Sequence, residues 1–313
     1  MVKYEITTKG LAKHFGKFTA VDQINLKISK GSIHGIVGPN GAGKTTTIKM
    51  LIGAMIPTSG TGLIGNHEIG TMQSRQMIGY VPEKATFYKD LNAIEYLIYM
   101  GQLSGLTLEN AIKRAHDVLK LFELIPFMYK KPTAFSSGMK KKLTIAQSLM
   151  HKPEILILDE PTANLDPETR MFIINILKRL VKEENMTVFI SSHILTELEL
   201  VVDEVSLIDK GNIVLTGKID EIKRRFNQGV IEIETDNNHS LKRTLDKLNY
   251  IDETKIDEKK LKVYTKEVDL FKKEIGKIIY DLGLMIHALN EEKITLDNIY
   301  QNVFIKGKED DKL

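Results

Sequence analysis

The octet Gly38-Pro39-Asn40-Gly41-Ala42-Gly43-Lys44-Thr45 fits the pattern G-x-x-x-x-G-K-[ST] in full. It is entered by a short apolar run of strand length, Ile33–Val37, and left by Thr45–Gly53, which has helical spacing. Few patterns restrict a chain so tightly: a strand, a tight glycine turn and a helix must follow in that order. Backbone N–H groups of such a turn converge on an anion at the positive end of the helix. Lys44 then suits the β- and γ-phosphates of a nucleotide, the Thr45 hydroxyl suits Mg²⁺, and Thr46 suits the α-phosphate. An ordinary glycine-rich turn has no need of the Lys-Thr pair, so the octet reads as a nucleotide site.

The chain around it has 313 residues, enough for two domains. With 44 basic and 41 acidic residues the net charge is only +3, which argues against binding nucleic acid by phosphate neutralisation. No cysteine is present, which excludes disulfides, thiolate metal sites and thiol catalysis. No stretch approaches the roughly 18 apolar residues needed to cross a bilayer. The start, MVKYEITTKG, lacks a signal-peptide core. A soluble intracellular protein is expected, unless a partner carries it to a membrane.

Strand patterns at Val21–Ile28, Ile33–Val37, Met77–Val81, Ile155–Leu158, Val188–Ile190 and Val205–Ile208 alternate with helical ones at Ala93–Gln102, Glu109–Phe122, Lys140–Met150 and Glu168–Val181. Several of the strands are apolar throughout, which predicts an α/β fold with a buried, largely parallel sheet. Residues 87–151 are almost entirely helical in pattern, a helical subdomain inside that core. After the break at Phe226-Asn227-Gln228-Gly229 the patterns run β-α-β-β-α-β through Val230–Thr235, Ser240–Leu248, Tyr250–Ile256, Leu261–Thr265, Glu267–Leu282 and Met285–Leu289, with a closing helix over Thr295–Phe304. That order predicts a small ferredoxin-like α+β domain. The expected organisation is therefore 1–228, 229–306 and a disordered tail, 307–313.

The strand Ile155–Leu158 ends in Asp159-Glu160. Downstream of a complete phosphate loop, Asp159 is placed to face Mg²⁺ and Glu160 to polarise an attacking water. Shortly before it, Phe135-Ser136-Ser137-Gly138-Met139 opens a helix. This pairing resembles the signature motif, usually LSGGQ, of the ATP-binding cassette (ABC) ATPases. Other segments follow the family's order over about residues 2–225. Phe15 sits where the adenine-stacking aromatic belongs, Tyr80-Val81-Pro82-Glu83 at the glutamine loop, Ala163-Asn164-Leu165-Asp166 at the D-loop and His193 at the switch histidine.

The resemblance implies a P-loop NTPase core of the ABC type. It implies ATP on the phosphate loop, Mg²⁺ held by Thr45, Asp159 and Glu83, and hydrolysis by Glu160 and His193. Ser136 and Gly138 would act on the ATP of a second cassette, with Asp166 at the contact between the two. Plainer readings stand beside these. Phe18 competes with Phe15; Ser136 and Asp166 are also good helix caps; Lys140-Lys141-Lys142 reads as a solvated face; the other seven histidines read as surface groups. Glu83 replaces the usual glutamine, which keeps an oxygen ligand but adds negative charge. Ser137 and Met139 also depart from the motif.

The implied function is that of an ATPase subunit of a transporter, an exporter by the Ser-Ser-Gly-Met signature, Glu83 and the extra tail. It would pair with a second ATPase subunit, the same chain or another, and with a separately encoded transmembrane permease at the cytoplasmic face of the membrane. The alternative is a soluble ABC ATPase serving assembly, translation or DNA. A cassette that binds ATP without hydrolysing it is disfavoured because Glu160 and His193 are retained.

Overall fold

The first strand, Tyr4–Phe15, buries Ile6, Leu11 and Ala12 and exposes Lys9, His14 and Phe15, with irregular register around Leu11 to Lys13. A strand buried in part and exposed in part suits an antiparallel sheet with one face on a core. The computed structural model describes residues 4–226, 229–292, 294–301 and 303. It divides into two compact units, Met1–Ile219 and Asp220–Leu313. The division falls ahead of the break expected at 228/229, of which Asn227 and Gln228 lie outside the described residues, as does the tail 307–313.

In the first unit, β1 (Tyr4–Phe15), β2 (Phe18–Ile24) and β3 (Lys27–Ser29) precede β4 (Ile33–Val37) and α1 (Lys44–Leu51). Then come β5 (Ser59–Ile64), β6 (His67–Glu68), α2 (Met72–Gln76) and β7 (Ile78–Val81). Helices α3 (Ala93–Leu103), α4 (Leu108–Leu121) and α5 (Ser137–Ser148) follow, within the stretch 87–151 that is helical in pattern. The unit continues through β8 (Ile155–Asp159), α6 (Pro167–Glu184), β9 (Thr187–Ser192), α7 (Leu195–Glu199), β10 (Glu204–Asp209) and β11 (Asn212–Lys218).

Two sheets result. Strands β11-β10-β4-β9-β8-β7 lie in that order, and every neighbour pair except β10–β11 is parallel. Strands β4 and β8 are buried at every position, as a sheet covered on both faces requires. The second sheet, β2-β1-β5-β6 with β3 beside β1, is antiparallel where it pairs. The expected single strand Val21–Ile28 is broken: Gln23 takes φ +47, and the chain leaves β2 to pair again as β3. A core of Ile6, Leu11, Val21 and Ile28 with Ile36, Ile48, Leu51, Ile157 and Phe189 joins both sheets to α1.

The topology brings four loops to one place. The phosphate loop follows β4, Pro82-Glu83 follows β7, Glu160 follows β8 and His193 follows β9. All four lie at the carboxyl edge of the parallel sheet, where open α/β sheets present their ligand sites.

The second unit begins with α8 (Ile219–Phe226), whose first residue belongs to the first unit. It continues with β12 (Val230–Thr235), α9 (Asn238–Leu245), β13 (Glu253–Asp257), β14 (Lys260–Tyr264), α10 (Val268–Asp281), β15 (Ile286–Glu291) and α11 (Leu296–Gln301). Its sheet is antiparallel throughout, in the order β13-β14-β12-β15. Alternate residues Ile231, Ile233, Leu261 and Val263 pack against Leu241, Leu245, Phe271, Ile275 and Ile279, giving this unit a core of its own.

Candidate functional site

The phosphate loop is shaped by glycine where no other residue fits. A Cβ on Gly38 would lie 2.2 Å from the Ile208 carbonyl oxygen, and Gly43, at the start of α1, holds φ +111. Pro39, Asn40, Gly41 and Thr45 are exposed, Thr46 is half-buried and Ala42 is buried. Lys44 is buried, and its Nζ donates to the carbonyls of Gly38 (2.7 Å) and Pro39 (3.2 Å).

The same ammonium lies 3.6 Å from Glu160 Oε1. The other carboxylate oxygen, Oε2, is 2.7 Å from His193 Nδ1 and accepts the His193 backbone N–H at 3.3 Å. Glu160 is thus clamped between a lysine and a histidine. Its backbone has φ +48, a left-handed conformation that costs a side-chain-bearing residue roughly 1–2 kcal/mol. Strain of this kind persists only where the surroundings impose it. Here the imposing partner is Ser191, whose hydroxyl accepts the Glu160 N–H at 3.0 Å and donates to Asp159 Oδ1 at 2.7 Å. One buried serine therefore sets both acidic residues. Nothing in the sequence reading singled it out, although β8 and β9 run in parallel register with Asp159 opposite Ser191.

Lys141 is the second residue missed, and it corrects the reading of 140–142 as a solvated face. It is buried, and its Nζ donates to the backbone carbonyls of Glu83 (2.8 Å) and Pro82 (3.1 Å). Burial pulls its ammonium below the ordinary lysine value, while the charges of Glu83, Asp159 and Glu160 oppose that. Lys142 lies over the Phe172 ring at 3.6 Å. The signal was available: Gly138, Lys141, Ile145 and Ser148 repeat at helical spacing on the buried face of α5. Nor are all other histidines surface groups. His34 is buried, with Nε2 2.8 Å from Ser206 Oγ and Nδ1 3.3 Å from Glu204.

The remaining candidates sit apart from this cluster. Ser136 caps α5, accepting the Met139 N–H at 3.2 Å, and is exposed. Gly138 packs so closely that a Cβ would meet Thr169 at 2.8 Å. Asp166 caps α6, accepting the Thr169 N–H at 2.8 Å; that bond holds its carboxyl below the usual carboxylate range. The plain capping readings therefore hold for Ser136 and Asp166, each of which bonds within the start of its own helix. Phe15 and Phe18 face each other across the β1–β2 turn, both exposed, with Lys13 5.3 Å from the Phe15 ring.

For a cation, the donors on offer are the Thr45 hydroxyl, the Asp159 carboxylate and the exposed Glu83. All are oxygens, and no group of three or more His, Cys, Asp or Glu side chains among the described residues could hold a metal by itself. That set fits a hard ion shared with a substrate's phosphates, as Mg²⁺ is. Beside Glu83, a groove of about 500 Å³ opens between Tyr80, Pro82, Phe87, Tyr88, Tyr96 and Met100.

Comparison with known proteins gives the same picture. The family model described as "ABC transporter" matches residues 21–163, and one described as "AAA domain, putative AbiEii toxin, Type IV TA system" matches 129–199. The linearmycin resistance ATP-binding protein LnrL of Bacillus subtilis is 36% identical over 262 residues, covering 82% of this chain and 84% of the relative. The bacitracin transport ATP-binding protein BcrA of Enterococcus faecalis is 31% identical over 314 residues, covering 98% of both. Among solved structures, an ATP binding subunit of an ABC transporter superposes with TM-score 0.65 at 28% identity, over 71% of this chain and 92% of the other. A dimeric ATP-binding cassette in a post-hydrolysis state with ADP and Pi gives TM-score 0.63 at 27% identity, over 68% and 98%. No helix among the described residues is long and apolar enough to cross a membrane. The chain belongs to the ATP-binding proteins of ABC transporters, and its first unit is an ABC ATPase.

Proposed function

We propose that this chain is the energy-supplying subunit of an ABC exporter, working as one of two paired cassettes beneath a separately encoded membrane subunit. The observation that carries the reading is the meeting of Lys44, Glu160 and His193 in one contact chain, beside Asp159, at the mouth of the phosphate loop. ATP lies along residues 38–46 with its adenine on Phe15. Lys44 exchanges its loop carbonyls for the β- and γ-phosphates. Glu160 accepts the proton of the attacking water, and His193 holds that carboxylate and faces the γ-phosphate. Mg²⁺ would be held by Thr45 and Asp159, with Glu83 as a further oxygen donor, and when bound it neutralises charge developing on the transferred phosphoryl group.

Ser136 is exposed and its hydroxyl only caps its own helix, which suits a head-to-tail pair in which the signature of one copy closes the ATP site of the other, with Asp166 at the contact. Exporter function rests on the likeness to LnrL and BcrA, whose names speak of linearmycin resistance and bacitracin transport. The aromatic groove beside Glu83 suits a helix from the cytoplasmic side of a permease, which would hold the chain at the membrane. The strand order of the second unit supports a ferredoxin-like accessory domain over 229–306. A native purification through a tag on this chain tests the whole. Recovery of a polytopic membrane protein with ATPase activity is expected; a wholly soluble complex, or one with ribosomes or DNA-stimulated turnover, would contradict it.

A further inference from the structure

The first turn of α6 is a junction that the proposed chemistry leaves unexplained. Arg170 lies there, one turn after the Asp166 cap. Its Nη2 donates to the carbonyl of Leu165, in the D-loop, at 3.1 Å. Its Nη1 lies 2.8 Å from Oε1 of Glu197, a buried carboxylate on α7 in the segment that carries His193. The pair is close without being well made: Arg170 Nε and both Glu197 oxygens are buried with no aligned hydrogen bond. A guanidinium and a carboxylate can form two parallel bonds when they face squarely. Desolvated charges that stop short of that geometry hold unused interaction energy, which a small movement of either helix would recover.

We infer that Arg170 and Glu197 are positioning residues for hydrolysis, joining the D-loop to the switch-histidine segment so that contact at Asp166 sets where His193 holds Glu160. The chain of contacts is short and continuous. Asp166 and Leu165 fix α6; Arg170 carries their position to Glu197; the helix α7 begins beside His193; and His193 lies 2.7 Å from the Glu160 carboxylate. Neither residue is placed to touch ATP. Their effect is therefore on the rate of the chemical step and not on nucleotide binding, since displacing a catalytic group by about 1 Å costs on the order of a hundredfold.

The inference rests on the reading of Glu160 and His193 proposed above, so the test runs the full chain beside Glu160→Gln. Steady-state kcat and KM for ATP are measured for Glu197→Gln, Arg170→Met and the double variant Arg170→Met/Glu197→Leu. The double variant replaces the buried pair by apolar groups and guards against simple misfolding. Each single variant is expected to lose roughly ten- to a hundredfold in kcat with KM changed less than about twofold. The double variant should regain the wild-type melting temperature yet stay as slow as the singles. Full turnover in Glu197→Gln, or wild-type turnover restored in the double variant, would overturn the pair's role while leaving the site reading intact. Undiminished turnover in Glu160→Gln would overturn the site reading, and this inference with it.

Discussion

The two halves of the proposed nucleotide site are built in opposite ways. Around Glu160 the groups are already in contact: buried Lys44 on one oxygen, the exposed His193 on the other, and buried Ser191 fixing both Asp159 and the strained Glu160 backbone. Around the signature, Ser136 and Ser137 face solvent, and the Ser136 hydroxyl does no more than cap its helix. The first half has paid the cost of ordering in the folding of one chain; the second has its donors free for something outside it. Under the proposed pairing, a site made this way stays incomplete until a second cassette arrives, which would tie hydrolysis to assembly.

The largest effect that could break this contrast is at Glu160. Glu160→Gln should lower kcat by roughly a hundred- to ten-thousandfold, as loss of a positioned base does, while ATP affinity measured by equilibrium titration is kept. Lys44→Ala should instead weaken ATP binding itself; unchanged affinity would remove the phosphate-loop assignment. Next in size is Gly138→Val, which forces a side chain into Thr169. The variant should bind ATP as well as wild type but fail to pair and fail to turn over. Adding Thr169→Ala should recover part of both, and lost ATP affinity would show that the signature half is not separate after all.

Ser191→Ala sharpens the comparison from within the buried half. It removes the donor to Asp159 and the acceptor of the Glu160 N–H, so we expect about tenfold lower kcat, and a stability loss of about 1–3 kcal/mol in urea unfolding from the stranded groups. A neutral substitution would mean that the strained Glu160 backbone is held by something else. The smallest effect belongs to the exposed half. The Thr169 N–H depresses the Asp166 carboxyl, so its capping contribution is complete above the ordinary aspartate range and fades as pH falls through the lowered value. The melting-temperature gap between wild type and Asp166→Ala should therefore shrink only on acidification; a gap independent of pH would contradict the charged cap.

How legible all this was depended on whether a residue acts through its own chain neighbours or through the fold. The phosphate loop, Asp159-Glu160 and the parallel strands are local patterns: the loop lies between β4 and α1, and Asp159-Glu160 at the end of β8. The antiparallel sheet was not anticipated as a layer, because Tyr4–Phe15 and Ser59–Ile64 carry threonine, glycine and lysine that blur the alternation. Ser191 acts across the sheet and Lys141 from helix α5 onto the loop after β7, on partners 32 and 58 positions away. Lys141 was misread by composition: three lysines in a row suggest solvent, yet helical geometry turns the middle one inward. In the second unit the order β12-α9-β13-β14-α10-β15 follows the sequence patterns, since strands such as β12 and β14 and helices such as α9 and α10 each turn one apolar face to a shared core.

Assembly is where the account is most exposed. The mass of the Glu160→Gln protein should be measured by sedimentation, first without nucleotide and then with saturating Mg-ATP. A single chain that becomes a two-chain particle on adding ATP, and not on adding ADP, is the predicted result. A particle that stays single at every ATP concentration would contradict the claim that two cassettes share each nucleotide.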